Sequence, residues 1–335
     1  MQKNILSAIK YIVILAIGAT MLWLAFRGVR LKDTIDEMLH AKAIWIILSV
    51  VASLIAFFSR AIRWNMLIAP LGYNPSLKNT SAALMIGYLA NLAVPRLGEV
   101  TRCGTLNRTE KVPFNSLLGT VIIERIIDVI CLLIFIMLVA FLEYERLGNF
   151  LSKNIFNPAA EKFNSVINSP IIITVLASLA AILLFLVFRK KNNTSGLAEK
   201  IAALLKGIVK GIDSIRKLKH PINFLFHTVL IWTMYFLMSY ICFLSLDATA
   251  GLDWHAGLFV LVVGGIGMSA PVQGGIGAYH LLVSQGLMLY GINQEHGIAF
   301  ATLMHTSQTL TVIIFGGLAF LYLFLKRKHA KTIIN

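Results

Sequence analysis

The chain has 335 residues, of which 58% are apolar and only 13% charged, and its mean hydropathy is +0.79. A soluble domain carries roughly 25% charged residues, so this composition excludes a soluble globular enzyme. The formal net charge is +15, but the cations are divided among loops that flank apolar runs, which excludes nucleic acid as a partner.

In chain order, Lys3 and Lys10 precede a first apolar run, Tyr11–Phe26, with no small-x-small cleavage site before Arg27. It reads as a retained helix. Ala43–Phe58 is the second apolar run, and Leu117–Leu142, Ile171–Phe188, Ile222–Leu246 and Ile298–Leu325 come after it. About 20 apolar residues span a bilayer, so these runs read as about six full crossings, the first two somewhat short. Shorter runs, Ser81–Val94, Ala256–Ala270 and Ile276–Tyr290, flank Pro95 and Pro271 and suit half-helices or re-entrant hairpins.

Charge sets the expected orientation. Arg60–Lys78 has no acidic residue, Arg189–Lys219 is dense in Lys and Arg against only Glu199 and Asp213, and Lys326-Arg327-Lys328 closes the last run. These read as cytoplasmic. Asp247–Asp253 and Asn293–His296 carry acid and no Lys or Arg, and Glu143–Lys162 is balanced, so these read as external. All loops agree with that rule if Ser81–Arg108 dips in from the cytoplasm and returns. Ala256–Tyr290 is then a hairpin entering from outside, or two short spans. Opposed hairpins imply an inverted pseudo-repeat, with both termini cytoplasmic.

Within the basic loop, Ile201, Leu204, Leu205, Ile208, Ile212 and Ile215 recur at helical spacing among Lys200, Lys206, Lys210 and Lys217. This predicts a basic amphipathic helix over 197–219 on the cytoplasmic leaflet, or one packed beneath the membrane domain as an anchor. The cysteines Cys103, Cys131 and Cys242 are scattered, so neither a disulfide framework nor a metal site is expected, and no cofactor is called for.

Three clusters carry the chemistry. The first is Asn91-Leu92-Ala93-Val94-Pro95-Arg96-Leu97-Gly98-Glu99-Val100-Thr101-Arg102. Pro95 breaks the helix at Val94, and a restart at Leu97 turns free N–H groups and a positive dipole end into the site. Arg96 and Arg102 add guanidinium forks suited to phosphate or carboxylate, and Glu99 lies three residues from Arg102, within pairing reach. The competing reading is a solvated loop. The second cluster is Glu124, Arg125 and Asp128, about two turns into an apolar run. Charge facing lipid there costs about 2.5–3.5 kcal/mol per residue, so these groups face inward and pair, with Arg96 or Arg102 as partners. A structural ion-pair network is the alternative. The third is Pro271-Val272-Gln273-Gly274-Gly275-Ile276-Gly277-Ala278-Tyr279-His280, whose glycines permit tight turns before a helix expected near Ile276. It matches neither the dinucleotide fingerprint nor the P-loop. His280, His305 and Gln308 add polar lining, or serve as packed structural donors.

Arg60-x-x-Arg63-Trp64, Asn91-x-x-x-Pro95-Arg96-x-Gly98-Glu99-x-x-Arg102, Glu124-Arg125-x-x-Asp128 and Pro271-x-x-Gly274-Gly275-Ile276-Gly277 succeed one another in this order. In this the chain resembles the lysylphosphatidylglycerol synthase transmembrane-region family, the flippase-like domain family, over essentially its whole length. The resemblance implies a single eight-helix-like polytopic membrane domain, 1–335, with lipid-translocating activity in the aminoacyl-phosphatidylglycerol branch. It also implies functional weight on Arg96, Glu99, Arg102, Glu124, Arg125 and Asp128. The soluble aminoacyl transferase domain of the fused branch does not come after it, so lipid aminoacylation is not implied.

The expectation is therefore an all-α polytopic protein of the inner (cytoplasmic) membrane that moves an anionic-headgroup lipid between leaflets, and not an enzyme. The cargo classes are a phospholipid, an aminoacyl-phospholipid or a polyprenyl-phosphate-linked lipid. Arg63, Asn91, Arg96, Glu99, Arg102, Glu124, Arg125, Asp128, Gly274, Gly275, Gly277 and His280 are the expected substrate-binding residues. The rival readings are a scaffold for a lipid or cell-envelope synthase partner and an integral-membrane lipid enzyme. Homo-oligomerisation is left open.

Overall fold

The computed structural model describes residues 15–146 and 218–332, with side chains through 326. The chain divides into two compact units: Met1–Val139 with Gly211–Asn335, and Ala140–Lys210. The second falls almost wholly outside the described residues. So do the expected crossing Ile171–Phe188, nearly all of the basic amphipathic helix 197–219, and the Arg327-Lys328 side chains. The first unit is the helical body of an all-α polytopic membrane protein.

Its helices are α1 (Leu15–Phe26), α2 (Leu31–Leu39), α3 (Ala43–Ile68), α4 (Leu77–Ala93), α5 (Leu97–Glu110), α6 (Phe114–Leu142), α7 (Pro221–Phe243), α8 (Trp254–Ser269), α9 (Ala278–Met288) and α10 (Gln294–Thr332). Among the described residues, four segments are long and apolar enough to cross a bilayer: Ala43–Leu71, Phe114–Leu142, Pro221–Phe243 and Gln294–Lys326. On α6 the large side chains Ile122, Val129, Leu133, Ile134, Met137 and Phe141 stay exposed, as a lipid-facing stripe requires. Helix boundaries obey local chemistry. Ser76 caps α4 by accepting from the Asn79 amide at 3.3 Å, Asp253 caps α8 by accepting from the Ala256 amide at 3.1 Å, and Pro221 opens α7 at its first turn.

One expectation is corrected here. Arg60–Lys78 reads as a loop, but α3 continues unbroken to Ile68 and buries Arg60, Arg63 and Trp64. Its inward stripe is small below the arginines (Ser49, Ala52, Ser53, Ala56, Ser59), which lets α7 lie close and antiparallel. Ser49 Oγ donates to the Met238 carbonyl at 2.8 Å, and Ser59 Oγ meets His227 Nδ1 at 2.8 Å.

Two helical hairpins occupy the interior. Helices α4 and α5 form the first, broken at Val94-Pro95-Arg96. They approach to backbone contact, because Gly87 faces Gly98; a Cβ on Gly98 would collide with the Gly87 carbonyl oxygen. The two ends of this hairpin come back to the same place. Glu110 Oε1 accepts from the Ser76 amide at 3.0 Å, from Ser76 Oγ at 2.8 Å and from Asn79 Nδ2 at 2.6 Å. Helices α8 and α9 form the second hairpin, whose open end closes where Phe259 packs on Tyr290, ring centroids 5.5 Å apart. Of the glycine-rich Gly264–His280 stretch, residues 264–269 remain helical, and α9 starts at Ala278, two residues later than expected.

Helix α10 shows how the hairpins oppose. Near its start it packs on hairpin 2, with Gly297 against Ser284. Midway, His305 Nε2 meets the carbonyl of Gly274 at the hairpin 2 tip, 2.8 Å away. Further on, Gly316 packs against Leu89 and Met85 of α4, and Tyr322 and Lys326 donate to Asn79 Oδ1 at the base of hairpin 1. The bases therefore sit at opposite ends of α10, and the tips meet between them, where Leu92 approaches Gly274. This is the inverted arrangement that the loop charges imply.

The base of hairpin 1 carries a pH dependence. Burial alone would raise the Glu110 pKa, but the Ser76 and Asn79 donors and the Lys326 charge outweigh it and hold the carboxyl below its usual value. Its folded pKa lies below its unfolded one, so its stabilisation is present above the ordinary carboxylate range and lost as pH falls through the folded value. Amide exchange at Ser76 should lose protection about threefold on acidification, a modest change because the group is largely exposed. Glu110→Gln should remove that pH response, and an unchanged acid response in this variant would refute the assignment.

Candidate functional site

The site is built where α3, α5, α6 and α7 converge. Pro95 ends α4 and leaves Arg96 at φ 66°, a left-handed conformation that costs a non-glycine residue about 1–2 kcal/mol. The helix restarts at Leu97, as expected. Asn91 reaches across the break, and its Oδ1 accepts from the Gly98 amide at 2.6 Å. The asparagine is thus the cap of the next helix, and so the spacing from Asn91 to Gly98 matters.

That restart aims Arg102 inward, 3% exposed, against Glu124 at 3.1 Å and over the Trp64 ring at 4.7 Å. Trp64 is itself fixed by donating from Nε1 to Thr120 Oγ1 at 2.9 Å. Glu124, fully buried, is the hub. Arg60 Nη2 lies 2.5 Å from its Oε1, Arg125 Nη2 3.2 Å and Arg63 Nη2 3.7 Å. Asp128, one turn on, accepts from Arg63 Nη2 at 2.6 Å and from Arg60 Nη2 at 2.9 Å. Helix α7 completes the shell: Arg60 Nη1 donates to Tyr235 OH at 3.0 Å and Arg63 Nη1 to Thr228 Oγ1 at 3.4 Å.

Four guanidinium groups therefore share two carboxylates. The buried donors Arg60 Nε, Arg63 Nε, Arg102 Nη2 and Arg125 Nε have no hydrogen-bond partner among the described residues. Arg125 is the partly open member, with 42% of its side chain exposed. A cluster with excess positive charge and unused donors is suited to an anion with several oxygens, such as a phosphate.

The structure brings Arg63, Arg102, Glu124, Arg125 and Asp128 together and adds Arg60, Tyr235 and Thr228, which are not among the residues expected from sequence. Arg96 does not join them: its side chain is exposed at the hairpin tip. The expected Glu99–Arg102 pair is not formed, because Arg102 pairs with Glu124 instead, and Glu99 Oε2 is buried without a partner. Gly274, Gly275 and Gly277 lie in the hairpin 2 tip with φ of 56°, 76° and 84°. Gly277 is needed for close approach as well, since a Cβ there would strike the Gly18 carbonyl and lie 2.7 Å from the Leu22 nitrogen on α1. His280 sits behind that tip beside His305.

A family model described as the lysylphosphatidylglycerol synthase TM region matches residues 11–316. Among curated proteins, the chain is 27% identical to UPF0104 membrane protein MJ1595 of Methanocaldococcus jannaschii over 141 residues, 41% of this chain and 40% of that protein. It is also 27% identical to UPF0104 membrane protein PH1989 of Pyrococcus horikoshii over 133 residues, 38% of this chain and 39% of that protein. The aligned portion spans about two fifths of the length of each relative. No solved structure matches.

Proposed function

Because the chain belongs to the lysylphosphatidylglycerol synthase TM-region family, we propose that it is a lipid translocase of the cytoplasmic membrane, moving a lipid with an anionic headgroup between leaflets. The observation that carries this reading is the surplus of guanidinium over carboxylate in the Arg60–Arg63–Arg102–Arg125 cluster, with its unused donors. Charge inside a membrane protein is expensive and marks a cargo path by default. Here Glu124 and Asp128 hold the arginines in place, the lipid phosphate takes the remaining donors, and the acyl chains stay in the bilayer. Half-exposed Arg125 is the point of first contact. Rocking of the two opposed hairpins about their tips would expose the cluster alternately to each side. The basic loops support a cytoplasmic base for hairpin 1 and cytoplasmic termini. No bond-making step is part of this reading.

The test is transbilayer movement of acyl-fluorescent phosphatidylglycerol and phosphatidylcholine in proteoliposomes. Wild type should move the anionic lipid preferentially. Arg125→Gln should slow that movement at least tenfold, the loss of charged hydrogen bonds. Its unfolding temperature should stay within a few degrees, because the group is half-exposed. Absence of movement for every headgroup, polyprenyl phosphate included, would remove the reading in favour of a scaffold for a cell-envelope synthase.

A further inference from the structure

Hairpin 2 carries a second polar cluster whose chemistry differs from that of the arginines. His280 is 5% exposed, and its Nδ1 has no hydrogen-bond partner among the described residues. His305 lies beside it, ring centroids 4.8 Å apart, and holds the Gly274 carbonyl through Nε2. One turn along α10, both amide atoms of Gln308 are buried and neither is hydrogen-bonded; one turn before, the Thr302 hydroxyl is in the same condition. Native interiors leave few such atoms unmet, and each calls for an explanation. No arginine, lysine or carboxylate is paired with these side chains among the described residues.

Position gives the cluster its meaning. Helical periodicity sets Gln308 on the stripe of α10 that runs from His305, at the hairpin 2 tip, to Gly316, which packs on Leu89 of α4. Tyr88, the neighbour of Leu89, has the Arg60 guanidinium 6.0 Å from its ring. Leu92, one turn on, touches Gly274. The same stretch of α4 therefore borders the arginine cluster at Tyr88 and, one turn on at Leu92, the Gly274 tip that His305 holds.

Resting on the reading of the arginine cluster as a phosphate site, we infer that His280, His305 and Gln308 form a second, uncharged subsite for the hydroxyl-bearing part of the same headgroup. The preferred cargo is then a lipid whose phosphate carries a polyol, such as glycerol, inositol or a sugar. Hydroxyls both donate and accept, and so they satisfy an amide and an imidazole together; a bare phosphate monoester or a quaternary ammonium does not. A site built to hydrogen-bond a hydroxyl discriminates against the analogue that lacks it, since its own buried groups are then left unmet.

The experiment compares acyl-fluorescent phosphatidylglycerol, phosphatidylinositol and phosphatidic acid in proteoliposomes. Wild type should move the two polyol lipids about tenfold faster than phosphatidic acid, the effect of two neutral hydrogen bonds. Gln308→Met and His280→Phe, each verified as folded by gel filtration and thermal unfolding in detergent, should bring that ratio close to one. A wild-type ratio near one, or a ratio that both variants retain, overturns the subsite. A second measurement is independent of transport: glycerophosphoglycerol should raise the unfolding temperature more than inorganic phosphate, and Gln308→Met should erase the difference. If no lipid moves, translocation fails as the function, and the subsite is then decided by that unfolding comparison alone.

Discussion

Glu124→Gln is expected to destabilise the protein by about 3–5 kcal/mol, the usual result of removing one member of a buried charge network. The carboxylate is fully buried and lies within 3.2 Å of Arg60, Arg102 and Arg125. An amide cannot neutralise them, and Asp128 alone would face four guanidinium groups. Thermal and denaturant unfolding in detergent would measure the loss. A second substitution, Arg102→Met, should restore part of it, because it removes one of the stranded cations; the pair should therefore be strongly non-additive. A single-variant loss below about 0.5 kcal/mol would mean that the cluster is well hydrated and is not the closed ion-pair network described here.

Gly98→Ala is the other large effect. The added Cβ would meet the Gly87 carbonyl oxygen and lie 2.6 Å from the Asn91 amide group. Backbone cannot yield as a flexible side chain does, so α4 and α5 must separate and the Asn91 cap on the Gly98 amide is lost. Overpacking costs about 1–3 kcal/mol and loss of a cap about 1 more, so a total near 3 kcal/mol is expected. Gly104→Ala on the same helix is the control, since nothing lies within 4 Å of a Cβ there; it should be neutral or stabilising by up to about 1 kcal/mol. Equal effects of the two substitutions in unfolding experiments would show that helix propensity, not the Gly87–Gly98 contact, governs this hairpin.

Much of this is legible locally. Pro95 dictates a break wherever it falls in a helix, whereas Asn91, expected to bind substrate, shows its capping of the Gly98 amide only in the structure. The opposed hairpins are readable from the short apolar runs around Pro95 and Pro271 taken with loop charge, because crossing a bilayer the wrong way strands cations. Arg60 and Arg63 mislead for a matching reason. Two arginines after an apolar run look like a loop, and the groups that neutralise them, Glu124 and Asp128, lie far along the chain. The signal for burial is nonetheless present. Ser49, Ala52, Ser53, Ala56, Ser59 and Arg63 recur at helical spacing, so the small-residue face that accommodates α7 leads directly into the arginines. The Arg102 partner is only half-legible, since Glu99 is the nearer carboxylate in sequence and Glu124 the nearer one in space.

Helix α10 touches both hairpins, and this makes it a phase-keeping element. From His305, which holds one tip, to Gly316, which receives α4, it advances about three turns, nearly a whole number. Inserting or deleting one residue between them would rotate one contact by about 100° relative to the other. The imidazole and the glycine notch would no longer face their partners together. Length is therefore as much a part of the information in this helix as its side chains, and tolerance for insertions belongs to the loops at either end.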